Sequence, residues 1–62
     1  MIDETAYPTF VLQGLKKVAN SPEKLKDLLY QWDERCGIRH FDGGEPLKEA
    51  EKRALQEVLE RL

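Results

Sequence analysis

An all-α fold is what this sequence predicts: a small three-helix domain with a Gly-rich connector between helices two and three. Three observations carry the prediction. Two long segments, "SPEKLKDLLYQWDERC" and "EPLKEAEKRALQEVLERL", repeat their apolar residues at helical spacing, and a proline sits at the start of each. No alternating β-branched run of strand length occurs anywhere, which argues against a sheet. The chain has 62 residues and one cysteine, so it holds one domain, 1–62, with no internal disulfide to staple it.

The elements follow in chain order. Residues 1–8 read as extended or frayed, because Pro8 biases Tyr7 away from helix. Thr9 is a natural N-cap for a first helix over 9–19, with Val11, Leu15 and Val18 on one face. Gly14 in its middle costs about 1 kcal/mol against alanine and suggests the close approach of another backbone. The second helix spans 21–36. Ser21 caps it, Pro22 suits the first helical position, and Glu23 suits the positive end of the helix dipole. Leu25, Leu28, Leu29, Trp32 and Cys36 form its stripe, and Gly37 reads as a left-handed stop. The third helix spans 46–61, with Leu47, Ala50, Ala54, Leu55, Val58 and Leu62 on one face. Glu49–Arg53 and Glu57–Arg61 are favourable i,i+4 pairs within it. The expected core is Val11, Leu15, Val18, Leu25, Leu28, Leu29, Trp32, Ile38, Phe41, Leu47, Ala54, Leu55 and Val58.

Charge narrows the function. Charged residues make up 35% of the chain, but the net charge is only −2 and no segment is a basic tract. A broad nucleic-acid footprint is therefore not expected. The sole local positive spot is Lys16, Lys17, Lys24 and Lys26, interrupted by Glu23 and Asp27. No apolar run approaches the ~20 residues of a membrane span, and the acidic start "MIDETAYP" lacks the features of a signal peptide. With a lone thiol, these features point to the cytoplasm.

The connector "CGIRHFDGGEP" concentrates the chain's only cysteine and only histidine. As structure, Ile38 and Phe41 drop into the core while Asp42, Gly43 and Gly44 turn the chain. Three chemical readings compete with that one. Cys36, His40 and Asp42 offer metal donors, but structural zinc wants four ligands in paired spacings. Cys36 and His40 could form a thiolate–imidazole pair, but Cys36 falls on the apolar stripe with Trp32. Glycines before a helix can cradle a phosphate, but "DGGEPLKE" lacks the P-loop pattern and Glu45 repels an anion. The structural reading is preferred, so no catalytic residue, no metal and no cofactor are expected.

The positions Glu34, Arg35, Ile38, Asp42, Gly43, Gly44, Glu49, Ala50, Glu51 and Ala54 fit a pattern E-R-x-x-I-x-x-x-D-G-G-x-x-x-x-E-A-E-x-x-A. About a third of the chain thereby resembles a segment of short bacterial proteins, found also near the ends of longer plasmid and prophage replication or mobility proteins. Cys36, Gly37 and Glu45 depart from it. The resemblance implies a bacterial mobile-element setting and a helix–turn–helix unit about the Asp-Gly-Gly turn. It assigns no functional residue.

The expectation is thus a small non-enzymatic protein-interaction module, such as a phage- or plasmid-encoded accessory or modulator. Its anchors are Tyr7, Phe10 and Tyr30, with Tyr30 off the buried stripe and Trp32 in the core. Leu55, Leu59 and Leu62 extend the stripe of helix three and suggest self-association as a homodimer, unless Ile2 or Phe10 folds over them. The alternative is a small dimeric DNA-associated regulator using Lys16, Lys17, Lys24 and Lys26.

Overall fold

Three α-helices and two short helical turns make up the computed structural model, which describes residues 4–62. A 3-10 turn, Glu4–Ala6, leads through extended Pro8 (ψ 143°) into α1, Thr9–Lys16. The stretch before α1 is thus partly helical where an extended chain is expected. Thr9 is the first residue of α1 rather than its cap, and α1 stops three residues short of 19. Lys17 and Val18 form a turn closed by the Val18 and Ala19 N–H groups on the Leu15 carbonyl.

The second helix, α2, is Pro22–Gly37, and Ser21 Oγ accepts from the Lys24 N–H at 3.1 Å, as the capping pattern predicts. Gly37 does not stop it. Both Gly37 (φ −60°, ψ −46°) and Ile38 (φ −60°, ψ −47°) are right-handed helical, and the chain runs on into a π turn, Ile38–Asp42. The left-handed residue is Gly44, with φ +70°. There the Gly43 N–H reaches the Ile38 carbonyl and the Glu45 N–H reaches that of Arg39, satisfying two terminal acceptors. Pro46 then opens α3, Leu47–Glu60.

Val11, Leu12, Leu15, Leu25, Leu28, Leu29, Trp32, Cys36, Ala50, Ala54 and Val58 form the core. The alanines and valine of α3 recur every fourth residue, which brings its backbone close to α2. The indole Nε1–H of Trp32 donates to the Glu51 carbonyl at 3.1 Å, so this buried polar group is satisfied. Four expected core residues lie outside. Val18 is 41% exposed because α1 ends before it. Ile38 (54%) and Phe41 (81%) ride on the π turn. That turn carries them past the end of the core, and its wider winding separates positions three apart by more than an α-helix does. Leu47 (51%) begins α3 before that helix reaches its packed positions. Leu12, Cys36 and Ala50 take part in their stead. Leu55 is only partly buried.

Gly14 admits a side chain rather than a backbone: a Cβ there would meet Leu55 Cδ2 at 3.3 Å. α1 therefore rests on α3 at this point. The expected pairing of Glu57 with Arg61 gives way to pairs across the fold. Glu57 Oε2 accepts from Arg35 Nη1 at 2.6 Å, and Glu57 Oε1 faces Arg39 Nη2. Arg53 lies nearest Glu45, at 3.9 Å. Among the described residues, no helix is long and apolar enough to cross a membrane.

Candidate functional site

The amphipathic pattern of α2 sets up the site. With one stripe in the core, Glu23, Lys26, Asp27, Tyr30 and Asp33 fall together on its solvent side, at spacings of three and four. Tyr7 meets that face from a different part of the chain. Pro8 holds the backbone extended after the 3-10 turn, and the half-buried Tyr7 ring packs edge-on against Trp32, centroids 6.0 Å apart and planes at 66°. Because Trp32 is anchored in the core, Tyr7 is placed by it. Tyr7 and Tyr30, 23 positions apart, thereby line one groove of about 480 Å³, together with Glu23, Lys26, Asp27 and Asp33.

Tyr30 is 71% exposed, which is a large aromatic surface left without a packing role. Among the described residues, Glu23, Asp27 and Asp33 form no ion pair. The groove therefore presents three carboxylates against one ammonium, a formal −2 that equals the charge of the whole chain.

The remaining candidates are scattered. Phe10 is exposed on the first turn of α1. Leu55 and Leu59 pack against the core, so the stripe of α3 is largely used within the chain, and only Leu62 of the three is exposed. α1 covers this stripe at Gly14, where Leu55 packs beneath it; Ile2 lies outside the described residues. The four lysines do not share a face. Lys16 lines a small hollow with Asn20, Ser21 and Pro22, whereas Lys26 lines the acidic groove. Lys24 and Lys26 are two residues apart on α2, close to opposite sides of the helix.

A second hollow, of about 450 Å³, lies where the π turn meets α3. Arg35, Arg39, Glu45 and Glu57 pair with one another there, while Asp42 on its rim forms no ion pair among the described residues. Besides the two arginine contacts of Glu57, Arg39 Nη1 donates to Glu45 Oε1 at 2.9 Å. These side chains are only a quarter to a third exposed, so the network clamps α2, the turn and α3 together. Sequence reasoning misses it because ending the helix at Gly37 removes Arg39 from the face of Arg35. Had the helix been continued, their i,i+4 spacing would have been the signal.

In the connector, His40 Nδ1 lies 2.9 Å from the Glu45 carbonyl, which can only accept, so this nitrogen carries the proton. The ring also packs edge-on against Phe41. Cys36 is buried, and burial, with the negative charges of Glu51 and Asp33, pushes its thiol up from the ordinary range. That is the reverse of what a nucleophile needs. Among the described residues, no group of three or more His, Cys, Asp or Glu side chains is placed to hold a metal ion.

No protein-family model, curated protein or solved structure matches the chain. The groove between Tyr7 and Tyr30 thus stands on its own geometry.

Proposed function

We propose that this chain is a non-enzymatic protein-interaction module that receives a segment of a partner in the groove between Tyr7 and Tyr30. One observation carries the reading: two tyrosines remote in sequence wall a single groove, and one of them leaves most of its ring in solvent. Tyrosine supplies large contact area at low entropic cost and offers a hydroxyl for hydrogen bonding, which is why it recurs at interfaces. The resemblance around the Asp-Gly-Gly turn supports an accessory protein of a bacterial mobile element, acting in the cytoplasm. The separation of Lys26 from Lys16 and Lys24 favours this reading over the nucleic-acid alternative, which would use Lys16, Lys17, Lys24 and Lys26 together.

Affinity capture from bacterial lysate tests this, with a Tyr30→Ala variant as the matched bait. Tyr30 is exposed, so the variant should keep its melting temperature. The expected outcome is a protein retained by the unaltered chain and lost with the variant. Identical retention by the two baits would sink the groove as the docking site.

A further inference from the structure

Resting on that reading, we infer that the groove's occupant is a basic segment of the partner protein, seating a lysine or arginine between Tyr7 and Tyr30. The groove and a basic segment are complementary in charge. Glu23, Asp27 and Asp33 face the groove with no ion pair among the described residues, in contrast to Glu45 and Glu57 on the other side of α2, which hold arginines of the same chain. Glu34, Asp42, Glu49 and Glu51 also form no ion pair among the described residues, so what marks the groove is the gathering of three such carboxylates beside two tyrosines. The groove accounts for the chain's formal −2, and the rest of the chain balances to zero. Two tyrosine rings beside those carboxylates add a second attraction specific to cations. A guanidinium or ammonium over an aromatic face is held by the ring quadrupole as well as by charge. An apolar segment would have to bury the three carboxylates without partners, and an acidic one would be repelled by them.

Lys26 supplies a test with the opposite sign. It lies in the same groove and repels an incoming cation, so its neutralisation should strengthen binding while loss of any carboxylate weakens it. A bare electrostatic attraction to an acidic protein would not distinguish positions.

The probe is a fluorescein-labelled peptide alternating Lys and Arg with Ser, followed by anisotropy on the full chain. An otherwise identical Glu–Ser peptide is the control. The basic peptide should bind and the acidic one should not. Affinity should fall as salt rises from about 0.05 to about 0.5 M. Combining Glu23→Gln, Asp27→Asn and Asp33→Asn should weaken binding about tenfold or more. Tyr30→Ala should weaken it about threefold, and Lys26→Gln should tighten it. Neutralising three carboxylates elsewhere (Asp42→Asn, Glu49→Gln, Glu60→Gln) should leave affinity near that of the unaltered chain. Circular dichroism and melting curves establish that every variant keeps the fold. Absence of binding at low salt overturns the inference, and so does equal weakening by the groove set and the remote set. The two readings fail separately. A captured partner that depends on Tyr30 but ignores the three groove carboxylates would leave the interaction module standing and remove its basic ligand.

Discussion

Gly37 and Gly44 show how one residue type takes two roles within eight positions. Gly44 sits at φ +70°, where a Cβ is strained, and nothing else there obstructs one. Gly37 is ordinary helix with open space around its Cα. Gly44→Ala is therefore expected to cost about 1–2 kcal/mol, whereas Gly37→Ala should stabilise by about 1 kcal/mol through helix propensity. Urea unfolding of the two variants checks this. Destabilisation by alanine at Gly37 would restore it as the left-handed stop that the sequence pattern suggests. Composition alone does not separate the two, since glycine permits a left-handed stop without requiring one. What decides is farther along the chain: the Glu45 N–H reaching back to the Arg39 carbonyl closes the helix later. The site has the same character. Tyr30 can be recognised as off-stripe from spacing on α2, but its meeting with Tyr7 depends on the contact between Tyr7 and Trp32, which no local pattern encodes.

Among the elements, α2 and α3 were legible because their start signals are local: Ser21 with Pro22, and Pro46. Their joint is not, because it is made by charged side chains from both helices and the turn. Glu57 is its centre, holding Arg35 on α2 and Arg39 on the π turn. Replacing it with glutamine keeps the shape but removes the charge that both guanidiniums face. Glu57→Gln should lower stability by about 1–2 kcal/mol, between the value of an exposed pair and that of a charged hydrogen bond shielded from water. Thermal unfolding at low and high salt measures it. The deficit should shrink with salt only in part, because these groups are largely shielded. A variant as stable as the unaltered chain would show that the network orients the turn without stabilising it.

For the whole molecule, size is the governing fact. The radius of gyration, 11.1 Å, is close to the ~10.6 Å expected of a compact chain this long. Total stability at this length is about 3–9 kcal/mol. Each partly buried leucine is then a large share of it, which bears on the stripe of α3. Leu55 lies under Gly14 of α1, and Leu59 packs against the core, so both contribute to the fold of a single chain. Leu59→Glu places a charge at that packed position and should cost about 2–3 kcal/mol, from lost apolar contact and a poorly solvated carboxylate. A fold-internal role makes this loss the same at every protein concentration. A seam between two copies would instead give a melting temperature that rises with concentration in the unaltered chain and not in the variant, by mass action. Melting curves over a hundredfold concentration range therefore separate the two, and a concentration-dependent melt abolished by Leu59→Glu would return the α3 stripe to the role of a dimer seam.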